Sequence, residues 1–139
     1  MLDFISIFIA TVAAFAVGAL WYGPLFGRQW RLLMNFSEGH MGAPEAAATG
    51  QGVTMGGALA GGFVATSVLV LALAFFMDAL AVMTVESALT VSLMVSLGFI
   101  ATTMANSVFY ERKPWSLYLI NASHYVVAVT VAALVLFYT

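Results

Sequence analysis

The chain has 139 residues, of which 63% are hydrophobic and only 7% are charged. Soluble domains carry about 25% charged residues, and a domain of this size leaves much of its surface exposed, so most of its surroundings must be lipid. The formal net charge of −2 is too small to indicate a nucleic-acid partner. The chain has no cysteine, which excludes disulfides and thiolate metal sites.

Four apolar runs are long enough to cross the roughly 30 Å hydrocarbon core of a bilayer as helices. They cover about residues 4–22, 53–77, 87–110 and 115–138. The first run has neither a basic segment before it nor a small-x-small cleavage motif after it, so we expect a retained helix rather than a signal peptide. The sequence therefore predicts an all-α membrane protein, one domain over residues 1–139, with four transmembrane helices in an antiparallel bundle.

The segment LWYGPLFGRQW follows the first apolar run. Trp21 and Tyr22 are expected to close the first span at the membrane interface, where amphipathic rings prefer to lie. Gly23 and Pro24 are expected to break the helix. The next residues, RQWRLLMNF, place aromatic and aliphatic side chains beside two arginines, which is typical of a short interfacial helix. The remainder of loop 27–52 is rich in Gly, Ala and Pro, and its role does not follow from the sequence.

The positive charges predict the orientation. All four cationic side chains fall in the loops after the first and third spans: Arg28, Arg31, Arg112 and Lys113. In a chain with four crossings these two loops share one side, and the positive-inside rule makes that side cytoplasmic. Both termini are then expected to lie outside.

Two helix faces carry small residues at four-residue spacing. Ala10, Ala14 and Gly18 form one in the first span, and Gly57 and Gly61 form the other in the second. Such faces allow close helix packing, and these two are expected to pair within one chain or between chains, with a hinge or pore role as the alternative. Together they offer more tight-packing surface than one small bundle uses, which predicts a homo-oligomer. Hydroxyl side chains in the spans are expected to bond back to their own helices, namely Thr66, Ser67, Thr90, Ser92, Ser96, Thr102 and Thr103.

A polar set occupies the predicted cytoplasmic half of spans three and four. Asn106 lies near the end of span three, and Asn121 shares a helix face with His124 in span four. Polar groups inside a membrane are candidates for function, so these residues, with Trp21 and Tyr22, are candidates for binding a small polar solute or relaying a proton. The structural alternative is that they hydrogen-bond to one another or to backbone and hold the helices together.

Metal and catalytic chemistry have little support. Asp78 and Glu86 are candidates for a cation site on the outer side, but two carboxylates alone supply too few ligands. The alternative is that both are loop carboxylates exposed to water. Glu86 also suits the first turn of span three, where the helix dipole favours negative charge. The chain contains no nucleophile elbow, HExxH, P-loop or dinucleotide fingerprint. We expect no enzymatic activity, no metal and no cofactor.

The aromatic segment carries a family resemblance. Its pattern W-Y-x-P-L-F-G-x-x-W is formed by Trp21, Tyr22, Pro24, Leu25, Phe26, Gly27 and Trp30. With the later segment YERKPWSLYLINASHYVV, it resembles an uncharacterised bacterial family of small membrane proteins known as domain of unknown function 1761. The resemblance covers nearly the whole chain and implies a four-helix protein of the bacterial inner membrane. It implies no reaction. The position of Asn121 is often aspartate in that family, and the missing charge weakens the proton-relay hypothesis.

Two functions from different classes remain open. The first is a structural or interaction subunit that forms a homo-oligomer or joins other membrane subunits in the bilayer. The second is an oligomeric transporter or channel for a small solute or ion, with its polar site near the cytoplasmic side of spans three and four. Four helices enclose little of a transport path, so this second function requires oligomerisation.

Overall fold

The computed structural model describes residues 3–34 and 54–139, and the regular structure in these ranges is helical. The four long helices are α1 (Phe4–Leu25), α3 (Met55–Ala79), α4 (Val85–Phe109) and α5 (Trp115–Tyr138), and the short helix α2 spans Gly27–Leu33. The long helices have 22 to 25 residues and are apolar enough to cross a membrane, which confirms the prediction of four long apolar helices. The predicted start of the second span at residue 53 and most of loop 27–52 lie outside the described residues.

Polar side chains cap the starts of three long helices. Asp3 accepts hydrogen bonds from the backbone N–H groups of Ile5 and Ser6 and from the Ser6 hydroxyl, which donates over 2.8 Å. The Ser6 hydroxyl and these amides hold the pKa of the Asp3 carboxyl below its usual range. Thr54 caps α3, and Thr84 forms a reciprocal capping box with Ser87 at the start of α4.

The expected helix break at Gly23 and Pro24 does not occur. The chain remains helical from Trp21 to Leu25 but widens into a π-helical turn, in which the Phe26 N–H donates to the Trp21 carbonyl over 2.8 Å. Pro24 lacks an N–H and clashes with the preceding turn of a regular α-helix, and the widened turn accommodates it. The helix ends at Leu25, with Phe26 as its C-cap, so α1 extends three residues beyond the predicted boundary at Tyr22.

A second π-helical segment lies in α4, from Met94 to Ala101. Ser92 just before it and Ser96 within it are fully buried, and the Ser96 hydroxyl donates to the Ser92 carbonyl over 2.7 Å. The other hydroxyl residues predicted to bond back to their own helices do so as well: Thr66, Ser67, Thr90, Ser92, Thr102 and Thr103. This accounts for most polar side chains within the spans without a functional role.

The buried core is made mainly of small and β-branched residues. α1 packs most extensively on α5, and the buried core includes Ala10 and Ala14 of α1 together with Ala128, Ala132 and Ala133 of α5. Such alanine-rich contacts let helix backbones approach closely, which is how helices associate when lipid removes the hydrophobic drive. α3 and α4 complete the core with Val70, Leu73, Met77, Ala88 and Val91.

The two faces of small residues do not pair with each other within the chain. Ala10 and Ala14 are buried in the core shared with α5, and Gly18 faces His124 of that helix. Gly57 and Gly61 are exposed, and a Cβ added to Gly61 meets nothing within 4 Å among the described residues. α5 has the small residues that close packing with α1 requires, so of the two expected alternatives the pairing within one chain does not occur.

Candidate functional site between the first and last helices

Two hydrogen bonds join the end of α1 to α5. The Tyr22 hydroxyl donates to Oδ1 of Asn121 over 2.8 Å. Beside it, the indole Nε1 of Trp21 donates to the Ile120 carbonyl over 3.0 Å. Both donors come from residues of the widened π-helical turn, which extends α1 along α5 instead of letting the chain turn away at Gly23.

Aromatic rings surround these two bonds. The Trp21 ring lies 4.9 Å from that of Phe26, and the Tyr22 ring lies 5.4 Å from that of Trp30, between ring centroids. Aromatic pairs at these separations add stability beyond the area that they bury. The start of α2 therefore closes over the end of α1, and Gly27 makes this possible because a Cβ there would lie 2.4 Å from the Tyr22 carbonyl oxygen.

His124 lies one helical turn beyond Asn121, between Tyr22 and Tyr125, with ring centroids 5.0 Å from both. Neither ring nitrogen has a hydrogen-bond partner among residues 3–34 and 54–139, although both are covered from solvent. A buried polar atom without a partner costs free energy, so such atoms are rare in native structures and call for an explanation.

Gly18 lets the imidazole sit this close to α1. A Cβ at Gly18 would stand 3.2 Å from Nε2 of His124, tighter than ordinary van der Waals contact. The sequence suggests only a helix-packing role for Gly18. Its role beside His124 was missed because facing residues on different helices cannot be paired from spacing along one helix.

A cleft of about 630 Å³ lies beside His124. Its walls come from α1, α3, α4 and α5, and the polar side chains among its lining residues are Tyr22, Thr66, His124 and Tyr125. The rest of its lining is apolar or glycine, and it contains no charged residue. Its volume lies in the range of small-molecule binding pockets, about 300–1,000 Å³. Residues from both π-helical segments line it, Tyr22 and Gly23 from the first and Ile100 from the second.

Four of the five candidate site residues come together here, namely Trp21, Tyr22, Asn121 and His124. Asn106 is exposed on α4, and within the described ranges its side chain forms no hydrogen bond with this group. These four residues therefore lie between the first and last helices, α1 and α5, and not between spans three and four as predicted. From α5, Tyr118 reaches α4 instead, donating to the Ala101 carbonyl over 3.0 Å at the end of the second π-helical segment.

The carboxylates lie elsewhere. Glu86 is in the first turn of α4, and Asp78 lines a separate depression of about 380 Å³ together with Asp3 and Thr139. No group of three or more His, Asp or Glu side chains placed to hold a metal ion occurs in the part of the chain that the structure describes.

Comparison with known proteins gives a family. The sequence model of the family described as "protein of unknown function (DUF1761)" matches residues 5–137. No curated protein and no solved structure matches the chain. The match covers both the aromatic segment at the end of α1 and the part of α5 that carries Asn121 and His124.

Proposed function

The chain belongs to the DUF1761 family, and we propose that it is a non-enzymatic subunit of the bacterial inner membrane that assembles with copies of itself. Four long apolar helices fit a membrane protein. The family carries no assigned activity, so the proposal rests on how the helices use their surfaces.

The proposed topology is an antiparallel bundle with both termini outside. Arg28 and Arg31 belong to α2, while Arg112 and Lys113 lie in the short connection between α4 and α5. The positive-inside rule favours a cytoplasmic location for both connections. We further propose that α2 lies along the cytoplasmic interface, because its exposed Arg28 and Leu32 suit the boundary between headgroups and acyl chains.

The assembly proposal rests on one observation, namely that the first half of α3 contains no buried residue. The buried residues of α3 all lie in its second half, from Val70 to Met77. At 3.6 residues per turn, Gly57 and Gly61 lie on the side of the helix opposite the residues that pack on α1, such as Gly62 and Phe63. Glycine on a lipid-facing surface forgoes side-chain packing, whereas against another helix it permits close backbone approach.

Native mass spectrometry from lipid nanodiscs tests this proposal. The wild type is expected to appear as a dimer or larger assembly, and Gly61→Leu is expected to shift it toward monomer because the added side chain holds the helices apart. Gly98→Leu on α4 is the matched control, since Gly98 also has open space where a Cβ would lie. A monomeric wild type, or equal dissociation by both variants, would refute assembly through α3.

The cleft beside His124 favours a second candidate function, an oligomeric transporter for a small solute. Its walls lack charge, which fits an uncharged solute better than an ion. Transport predicts that His124→Ala abolishes flux into proteoliposomes while the assembly seen by mass spectrometry is retained. Loss of assembly in the same variant would assign His124 to helix packing instead.

A further inference from the structure

We propose that the cleft beside His124 binds an uncharged, membrane-soluble molecule whose hydroxyl or carbonyl group hydrogen-bonds to the imidazole. This inference does not depend on self-assembly, because the cleft faces the packed side of α3 and the Gly57–Gly61 face points the other way.

The chemistry of the walls selects an uncharged ligand. No Asp, Glu, Lys or Arg lines the cleft, and the phenol of Tyr22 is already engaged with Asn121. An ionised ligand would enter apolar walls with no opposite charge, which is costly in a medium of low polarity. An apolar body with one neutral polar group matches a surface of this kind.

His124 supplies the recognition group. A neutral imidazole has one N–H donor and one acceptor nitrogen, so it can donate to a carbonyl or exchange hydrogen bonds with a hydroxyl. Both nitrogens lack a partner among the residues that the structure describes, so neither must give up an existing bond to bind a ligand. The ring itself lines the cleft while its nitrogens are covered. The ring can turn about its Cβ–Cγ bond because Gly18 beside it has no side chain, and this rotation brings a nitrogen to the ligand.

The mouth of the cleft lies on the membrane side. Among the lining residues, Leu59 is 53% exposed, and Ala19, Gly23 and Ala65 are exposed as well. In a bilayer these positions adjoin acyl chains, because α1 and α3 carry them within their apolar spans. A ligand dissolved in the membrane therefore enters sideways between α1 and α3, without passing through water.

Photolabelling in nanodiscs of phosphatidylethanolamine and phosphatidylglycerol tests the proposal. The probe is a long-chain alcohol that carries a diazirine, and the labelled peptides are identified by mass spectrometry. Labelling is expected on cleft-lining segments of α1, α3 and α5. Excess dodecanol is expected to compete for it, whereas dodecane and dodecanoate leave it unchanged.

Two variants separate the site from general partition into lipid. His124→Leu is expected to weaken competition by dodecanol about tenfold, the effect of losing one hydrogen bond in apolar surroundings. Gly62→Leu is expected to abolish labelling, since a side chain there enters the cleft near Phe15, while its neighbour Gly61→Leu leaves labelling intact. Ala65→Leu replaces Gly62→Leu if that variant loses its helical circular dichroism.

Three outcomes would overturn the proposal. Labelling that dodecane displaces as well as dodecanol does would show partition without recognition. Unchanged competition in His124→Leu would remove the imidazole from the site. Equal loss in Gly61→Leu and Gly62→Leu would show that the label reports on α3 as a whole. Self-assembly is measured separately, so failure of either proposal is seen without the other.

Discussion

The two ends of the helical body use polar residues differently. At the Asp3 end, formed by the start of α1, the end of α3 and the end of α5, Asp3, Ser6 and Thr11 bond within one helix. At the Tyr22 end, formed by the end of α1 and the start of α5, Tyr22 and Trp21 bond from one helix to another.

Packing follows the same division. Near the Asp3 end the second half of α3 contributes Val70, Leu73, Ala74 and Met77 to the interior, whereas its first half contributes no fully buried residue. At the Tyr22 end the helices leave a cleft and an imidazole without a partner. The difference indicates that apolar burial of α3 joins the helices near the Asp3 end, whereas the Tyr22 end joins α1 to α5 by hydrogen bonds and retains an imidazole that stability alone does not explain.

The largest expected effect tests whether the Tyr22 end is rigidly built. Gly27→Ala places a Cβ 2.4 Å from the Tyr22 carbonyl oxygen, which is backbone and has little freedom to move. We expect a loss of about 2–3 kcal/mol in the free energy of unfolding in detergent micelles. Gly23→Ala, with nothing within 4 Å, serves as the control and should change stability little. Equal losses in both variants would mean that the close contact between Gly27 and Tyr22 is not specific.

The bond between Tyr22 and Asn121 gives the next effect. A double-mutant cycle with Tyr22→Phe and Asn121→Ala should yield a coupling energy of about 1 kcal/mol, typical of hydrogen bonds between membrane helices. The measurement is reversible unfolding in mixed micelles. Strict additivity of the two substitutions would show that the bond contributes nothing and that the ring contacts alone position Tyr22.

A gain of similar size is expected at the Asp3 end. Ala81 follows α3 with a φ of 49°, in the left-handed region that a Cβ disfavours. Ala81→Gly should therefore raise the free energy of unfolding by about 1 kcal/mol. Ala79→Gly, two residues earlier and still helical, should lower it by about 0.5–1 kcal/mol. The prediction fails if the two glycines act in the same direction.

The smallest effect is the pH dependence of the α1 cap. Because hydrogen bonds from Ser6 and Ile5 lower the folded-state pKa of Asp3, the cap stabilises the fold above the usual aspartate pKa. This stabilisation is lost as pH falls through the lowered value. Asp3→Ser caps the helix without titrating, so thermal unfolding of the two proteins should converge in acid and differ at neutral pH. If the difference in unfolding temperature between the two proteins stays constant with pH, the contribution of the cap does not depend on the charge of Asp3.

The sequence predicts the four long apolar helices well because length and apolarity are local properties. It also marks four candidate residues that the structure brings together, since Trp21, Tyr22, Asn121 and His124 are polar or amphipathic groups in apolar surroundings. It misses the continuation of α1 through Gly23 and Pro24, because a widened turn depends on the packing of Trp21 and Tyr22 against α5. The isolation of Asn106 was missed for a related reason, since depth along a helix does not give the direction in which a side chain points.

The helix on which the small-residue face of α1 packs could not be predicted from the sequence either. Spacing marks Ala10, Ala14 and Gly18 as a packing face, but spacing along one helix does not show which other helix that face packs on. Only the assembled helices show that this face packs on α5, with Gly18 beside His124. The face of Gly57 and Gly61 is consequently left for another chain under the proposed assembly.

The stability of His124→Leu tests most directly whether the Tyr22 end retains a group at the expense of stability. Leucine keeps an apolar side chain beside Gly18 and removes two buried nitrogens that lack partners. Measured by reversible unfolding in ligand-free micelles, the free energy of unfolding should rise by about 1 kcal/mol or more. A fall would contradict the account, because it would mean that the imidazole holds the helices together.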